Sequence, residues 1–164
     1  MPVVSLDRLP IIRWLPIAAA VLALDWLTKS WAVAVLTPYQ PVPVAPFLNL
    51  TLVFNPGAAF SLLSDAGGWQ RWFFIVVSIL VVIVLSVWLH RIPRGQVWVP
   101  VAMALVLGGA LGNLWDRLTL GLVVDFIDVY YRHWHWPAFN VADAAISTGA
   151  VMLLLSALRP EPPH

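Results

Sequence analysis

The sequence predicts an all-α membrane protein of four transmembrane helices, with a small β-sheet on its outer face and a short interfacial helix. Of its 164 residues, 61% are hydrophobic and only 10% are charged, whereas a soluble domain has about 25% charged residues. The apolar residues form four long blocks, each approaching the roughly 20 residues needed to cross a bilayer. A chain of this length is expected to form a single domain.

The four predicted spans cover residues 11–36, 72–89, 97–114 and 139–158. The first of them has the position of a cleaved signal peptide. It is too long for one, it contains Asp25 and Lys29, and three further spans follow it. We therefore interpret it as a retained transmembrane helix.

The distribution of arginine predicts how these spans are oriented. One side of the predicted bundle carries Arg8, Arg13, Arg91, Arg94 and Arg159. The opposite side carries Arg71, Arg117 and Arg132. Because basic residues concentrate in cytoplasmic segments, we expect both termini in the cytoplasm and the loops at 37–71 and 115–138 on the outer face.

The first outer loop is expected to contain regular structure. Apolar and polar residues alternate over 48–55, which is the periodicity of a strand. Prolines at positions 38, 41, 43 and 46 precede this stretch and are incompatible with a helix there. Residues 58–63 are predicted to form a short helix lying in the membrane interface.

The composition excludes several kinds of function. Cysteine is absent, which excludes disulfides, a thiolate nucleophile and a cysteine metal site. The net charge is +1 without a basic run, so no nucleic-acid partner is expected. A zinc protease of the His-Glu-x-x-His type is excluded because the only glutamate is Glu161. A serine protease is disfavoured because Lys29 adjoins Ser30 at a spacing that does not face it.

Charged and small residues within the spans predict helix contacts. Asp25 and Lys29 are four residues apart, so we expect an ion pair that also docks onto another helix, with direct participation in chemistry as the alternative. Ala104, Gly108 and Gly112 form a stripe of small residues that permits close helix packing. Further polar residues, Asn113 and Arg117, continue the same spacing at the outer end of the third span, where they are either interfacial anchors or part of a site.

An aspartate near the outer end of the fourth span predicts the site itself. Asn140, Asp143 and Ser147 share one helical face, and Asp143 lies roughly 9 Å inside the start of that span at 1.5 Å per residue. An isolated buried carboxylate is costly. The apolar segment 122–127 contains a single carboxylate, Asp125, and its hydrophobicity should hold it at the same depth.

Two carboxylates brought close in a dry site share a proton. One then serves as a general base on water while the other, protonated, polarises a carbonyl. This pattern points to aspartic-protease chemistry. A proton relay and a structural hydrogen-bonded pair remain as alternatives.

Five short motifs resemble those of lipoprotein signal peptidases (signal peptidase II). They are DWLTK at 25–29, NPGAAF at 55–60, GNLWDR at 112–117, VVDF at 123–126 and FNVAD at 139–143. Each is weak alone, but their order within a chain of four predicted spans is specific. Pro56 departs from the polar residue more usual at that position.

The resemblance implies a membrane aspartyl endopeptidase of the bacterial inner membrane. Such an enzyme removes the signal peptide of a diacylglyceryl-modified prolipoprotein by cutting just before the lipidated cysteine. The family's catalytic aspartates fall on Asp125 and Asp143. Its substrate-binding and supporting residues fall on Asn55, Gly57, Asn113, Arg117, Asn140, Asp25 and Lys29.

The resemblance also implies which partners to expect. These are the lipidated precursor and membrane lipid, without nucleic acid, cofactor or metal, and we expect a monomer. The acyl chains are expected to remain in lipid while the strand at residues 47–55 clamps the peptide through its edge.

Two further interpretations compete with this one. A metal site at His133 and His135, with Asp125 or Asp128, is disfavoured because a clear third and fourth ligand are missing. A small proton-coupled transporter using Asp25, Lys29 and Asp143 is the rival from another class. Against it, the acidic residues gather at one membrane face, and repeat symmetry is absent. A scaffold without chemistry leaves Asp143 unexplained.

Overall fold

A computed structural model describes residues 11–57, 68–93 and 95–158. A 3-10 helix at Ile11–Arg13 is followed by four α-helices: α1 (Leu15–Val35), α2 (Trp69–Arg91), α3 (Trp98–Thr119) and α4 (Val141–Ala157). The strands are β1 (Val42–Ala45), β2 (Leu48–Asn55), β3 (Val123–Tyr131) and β4 (Trp134–His135). Each predicted span overlaps one of these helices. The interfacial helix predicted for 58–63 lies outside the described residues.

Three of the helices in the described part of the chain are long and apolar enough to cross a membrane, namely α1, α2 and α3. The fourth, α4, is apolar but has only 17 residues. At 1.5 Å per residue it is about 26 Å long, compared with a hydrocarbon core of about 30 Å. The protein is thus a multi-pass membrane protein with three candidate spans and one shorter apolar helix.

The central helix of the bundle is α3, which packs against α1, α2 and α4. Glycines make these approaches possible. A Cβ added to Gly108 would lie 2.6 Å from the carbonyl oxygen of Ala18 in α1. One added to Gly109 would collide with the carbonyl oxygen of Ala142 in α4. The predicted packing role of the small-residue stripe is therefore confirmed for Gly108.

The four strands form one antiparallel sheet in the order β1-β2-β3-β4. The strand predicted from alternation at 48–55 is confirmed as β2, whereas β3 extends through the segment that we had treated only as an apolar run. The predicted clamping of a peptide cannot use the whole edge of residues 47–55, because part of that edge is already paired, and for the rest of the strand it stays a prediction. The hydrogen-bonding edge over Leu48–Leu50 is already used by β1.

Chain connectivity gathers the polar motifs at one end of the bundle. The chain leaves α1 into β1 and β2, and it leaves α3 into β3 and β4 before entering α4. An apolar cluster holds the sheet on the end of α1, in which Ala32 and Leu36 pack with Leu52, Val124 and Phe126. Backbone hydrogen bonds between Ile127 and Phe139 fix the start of α4 beside β3.

A β-bulge in β2 determines which side chains share a face of the sheet. The register runs from Leu50 opposite Ile127 to Val53 opposite Asp125, so β2 has one extra residue between these pairs. A bulge interrupts strict alternation. As a result, Asn55 shares a face with Asp125 although alternation alone would place it on the other one.

Candidate active site

Asp125 and Asp143 lie in the wall of one cavity of about 520 Å³. Asp125 extends from β3 and Asp143 from the first turn of α4. The cavity has a polar part that includes Asn55, Asn113 and Arg117 and an apolar part that includes Val123, Trp136, Pro137, Phe139 and Ile146. The structure therefore brings the predicted carboxylate pair together beside both polar and apolar surfaces.

Asp143 is held by the N-terminal capping box of α4. The Asn140 side-chain oxygen accepts a hydrogen bond from the Asp143 backbone N–H at 2.8 Å, and Asp143 Oδ2 accepts one from the Asn140 N–H at 3.3 Å. This reciprocal arrangement satisfies two otherwise free donors of the helix start. The positive end of the helix dipole also favours a carboxylate there.

Asp125 is almost completely buried, with 1% of its surface exposed. Its Oδ1 accepts a hydrogen bond from Asn140 Nδ2 at 2.7 Å, and its Oδ2 accepts one from Asn55 Nδ2 at 3.0 Å. Burial and the negative charge of Asp143 raise the pKa of Asp125 to about 7, although the Asn55 and Asn140 hydrogen bonds and the charge of Lys29 oppose this shift. Asp125 therefore keeps its proton up to a much higher pH than an ordinary aspartate does.

Asn140 and Asn113 join the two carboxylates into one network. Asn140 contacts both aspartates directly. Asn113 Nδ2 donates to Asp143 Oδ1 at 2.7 Å, while its Oδ1 accepts from Lys29 Nζ at 3.0 Å and from Asn140 Nδ2 at 3.2 Å. Because both ends of the Asn113 amide have partners of the matching kind, its orientation is determined.

Arg117 ties the loop after β2 to this network. Its Nη2 donates to the Gly57 carbonyl at 3.1 Å, and its Nη1 donates to the Asn113 carbonyl at 3.3 Å. Asn55 Oδ1 in turn accepts the Gly57 N–H at 3.0 Å. Asn commonly forms a local turn of this kind. Pro56 has no backbone N–H, but the hydrogen bond of this turn is donated by Gly57. The departure from the family pattern is thus compatible with the loop.

The predicted ion pair between Asp25 and Lys29 is present, with Nζ and Oδ2 2.7 Å apart. Both side chains are buried. Asp25 Oδ1 also accepts the Ala142 backbone N–H of α4 at 2.9 Å. The expectation that this pair docks onto another helix is therefore confirmed, since it contacts both α3 and α4.

Sequence reasoning missed one member of the network, Asp116. Its Oδ2 lies 2.9 Å from Lys29 Nζ and accepts the Val124 N–H at 3.1 Å. One signal was available: a buried ammonium has three donors and needs more acceptors than Asp25 alone supplies. The position of Val124 at the start of β3 was not apparent from the sequence.

One of the two histidines weighed as metal ligands, His135, contacts other side chains. His135 Nδ1 lies 2.8 Å from Asp128 Oδ1, and its ring stacks on Tyr130. Asn49 and Thr51 donate to the other oxygen of Asp128. Across 11–57, 68–93 and 95–158, no three His, Cys, Asp or Glu residues are grouped as a metal site would require.

Comparison with known proteins gives a consistent result. The sequence profile of a family described as Signal peptidase (SPase) II matches residues 17–159. The "Lipoprotein signal peptidase" of Pseudomonas aeruginosa (strain UCBPP-PA14) is 52% identical over 157 residues, covering 94% of this chain and 93% of that protein. The protein of the same name from Pseudoalteromonas atlantica is 53% identical over 144 residues, or 88% of each chain.

A solved structure resembles this fold as well. It is described as a bacterial membrane enzyme determined by the in meso method at 2.3 Å resolution. The two chains are 30% identical and superpose with a TM-score of 0.82, covering 93% of this chain and 94% of the other. The profile match and the relatives described above show that the chain belongs to the signal peptidase II family.

Proposed function

We propose that this protein is an aspartyl endopeptidase that removes the signal peptide from diacylglyceryl-modified prolipoproteins, with Asp125 and Asp143 as its catalytic pair. Family membership supports the reaction class. The observation that carries the residue assignment is the pair itself, two carboxylates in the wall of one cavity and linked through Asn140.

The environments of the two carboxylates support a different role for each. Asp143 accepts hydrogen bonds at both oxygens at the start of α4 and is the general base. Asp125, whose pKa lies at about 7, holds the proton. Asp143 removes a proton from water as the water attacks the scissile carbonyl, while protonated Asp125 donates a hydrogen bond to the carbonyl oxygen. A proton then passes to the departing amine when the tetrahedral intermediate collapses.

The cavity also fits a substrate that is both peptide and lipid. Its polar part contains the asparagine and arginine side chains, and its apolar part adjoins the exposed Trp136. The peptide lies along the polar part, and the acyl chains of the modified cysteine extend along the apolar part towards lipid. Cleavage then occurs just before the lipidated cysteine.

The same assignment implies a location in the bacterial inner membrane. α4 crosses the membrane as a fourth span, both termini are cytoplasmic, and the sheet with its cavity faces outwards. The arginine distribution supports this orientation. We expect the chain to act as a monomer.

The direct test is cleavage by the purified protein in detergent. A precursor bearing diacylglyceryl-cysteine is incubated with the wild type, Asp125→Asn and Asp143→Asn, and peptide release is followed. Asparagine preserves shape but cannot share a proton, so both variants should fold and lose roughly 10²- to 10⁴-fold in rate. Asp128→Asn makes the same chemical change outside the cavity and should retain cleavage.

Three results would contradict the proposal. If the folded wild type does not cleave the lipidated precursor, the assignment as an enzyme is wrong and the transporter interpretation is favoured. Substantial cleavage by either dyad variant removes that aspartate from the mechanism. Equal cleavage of the precursor with an unmodified cysteine would contradict the substrate class.

A further inference from the structure

Lys29 is the centre of a buried cluster that joins three elements of the fold. Its ammonium lies 2.7 Å from Asp25 Oδ2, 2.9 Å from Asp116 Oδ2 and 3.0 Å from Asn113 Oδ1. An ammonium has three N–H donors, and each has one acceptor here. The side chain of Lys29 is only 4% exposed, so its geometry is set by these partners and not by water.

The two carboxylates on either side of Lys29 make matching backbone contacts. Asp25 Oδ1 accepts the N–H of Ala142, the residue before Asp143. Asp116 Oδ2 accepts the N–H of Val124, the residue before Asp125. Each carboxylate therefore fixes the main chain immediately ahead of one member of the proposed catalytic pair.

We propose that Asp116 is a positioning residue for peptide cleavage, which holds the start of β3 so that Asp125 meets Asp143 at the correct separation. This inference rests on the proposed function. Asp116 touches neither aspartate of the pair, and it does not line the cavity that contains them. It acts through Lys29 on one side and Val124 on the other.

The physical reason for such a link is that Asp125 and Asp143 belong to different elements. β3 and α4 are joined through 132–140, a stretch whose only described strand is the two-residue β4. A displacement of about 1 Å at a reacting group costs on the order of 100-fold in rate. A buried ion bridge that grips both main chains restricts this displacement, because breaking it would leave a charge uncompensated.

Two substitutions separate the parts of this role. Asp116→Asn keeps an oxygen to accept from Val124 and Lys29 but removes the charge. Asp116→Ala removes the acceptor as well. Because Asp116 lies outside the substrate cavity, we expect kcat to fall about 10-fold in Asp116→Asn and about 100-fold in Asp116→Ala, with KM nearly unchanged.

The pH profile supplies a measurement that a purely structural residue would not move. The charge of Lys29 lowers the pKa of Asp125, and Asp116 compensates part of that charge. In Asp116→Asn the Lys29 charge is less compensated, so the pKa of Asp125 should fall. The decline of kcat/KM at alkaline pH, where Asp125 loses its proton, should then begin at a lower pH. Hydrogen exchange at the Val124 amide should be accelerated in Asp116→Ala.

Asp128→Asn is the matched control. Asp116 and Asp128 have the same exposure, 6%. Each accepts hydrogen bonds from residues of the sheet, Asp116 from Val124 and Asp128 from Asn49 and Thr51. Asp128, however, lies three residues from Asp125 and so on the opposite face of β3. Its substitution should lower the melting temperature without shifting the alkaline limb or reducing kcat.

The outcomes distinguish this inference from the proposed function. If the wild type cleaves and both Asp116 variants match it in kcat and pH profile, Asp116 has no positioning role. If Asp128→Asn reproduces their kcat loss and pH shift, the effect is general destabilisation and the inference fails. A wild type without cleavage overturns the proposed function and this inference with it.

Discussion

At the residue scale, Asn140 makes two contacts, one with the start of α4 and one with Asp125, that a single substitution can separate. Its oxygen caps α4 by accepting the Asp143 N–H, and its amide group donates to Asp125 Oδ1. It is fully buried, so neither contact is replaced by water when the side chain is removed. We therefore expect stability and activity to depend on this one side chain through different atoms.

Asn140→Ala should lose both contacts, whereas Asn140→Ser should lose only the second. Serine is a good N-cap but is too short to reach Asp125. We expect the alanine variant to lose about 1 kcal/mol of stability from the cap alone and about 100-fold in kcat from misplacement of Asp125. Melting curves and cleavage rates measure the two effects. Recovery of activity together with stability in the serine variant would show that capping alone matters.

The pH dependence of cleavage also follows from one residue. Asp125 has a pKa of about 7 in the folded protein, so it holds its proton below that pH and loses it above. Activity that needs the protonated form should therefore decline on the alkaline side with an apparent pKa near 7, a value that belongs to the pair. A kcat/KM profile between pH 5 and 9 tests this expectation.

Asn55 provides the sign test for that assignment. Its hydrogen bond to Asp125 Oδ2 lowers the pKa of Asp125. Asn55→Ala removes this stabilisation of the carboxylate, so the alkaline limb should move to higher pH, whatever happens to the maximal rate. If the alkaline limb stays at the same pH or moves to lower pH, a group other than Asp125 controls the decline of activity.

At the scale of elements, the contact between α3 and α4 sets the position of Asp143. Gly109 faces the carbonyl of Ala142, the residue just before Asp143. Gly109→Ala places a methyl group against this backbone, which cannot rotate away as a side chain would. We expect α4 to be displaced, the melting temperature to fall and kcat to fall about 10-fold or more.

Ala150→Ser is the control for this substitution, because it adds one heavy atom to an exposed position of α4, the helix that Gly109→Ala is expected to displace. It should leave the melting temperature and the cleavage rate close to those of the wild type. Equal losses in both variants would mean that α4 tolerates no added volume anywhere, and the specific contact at Gly109 would lose its importance.

At the scale of the whole molecule, the proposed topology can be tested with single thiols, because the chain contains no cysteine. Gln96 lies in the connection between α2 and α3, and His133 lies between β3 and β4. Both are exposed. In spheroplasts, which lack an intact outer membrane but keep a sealed inner membrane, an impermeant thiol reagent should label His133→Cys but not Gln96→Cys.

The same experiment decides whether α4 crosses the membrane. If it does, Glu161→Cys lies on the side of Gln96→Cys and reacts only after permeabilisation. Labelling of Glu161→Cys from outside would leave three spans and place the C-terminus with the sheet. Labelling of Gln96→Cys from outside would invert the proposed orientation.

Most of the fold class follows from local sequence properties. The long apolar blocks predicted the helices to within a few residues, and the alternation at 48–55 predicted β2, because hydrophobic length and period are properties of neighbouring residues. The carboxylates Asp125 and Asp143 also stood out, since so few acidic residues occur in so apolar a chain. The length of α4 and the strand character of β3 were less well predicted.

What the tertiary structure alone decided is which polar groups meet. Alternation places Asn49, Thr51 and Asn55 on one face, but the bulge in β2 separates them, so that Asn49 and Thr51 contact Asp128 while Asn55 contacts Asp125. Likewise, the pairing of Lys29 with Asp25 follows from their spacing of four residues, whereas its contacts with residues more than 80 positions further on do not follow from any local pattern. The period of a strand or helix is set by its own backbone, whereas the register between distant elements is set by packing of the complete chain.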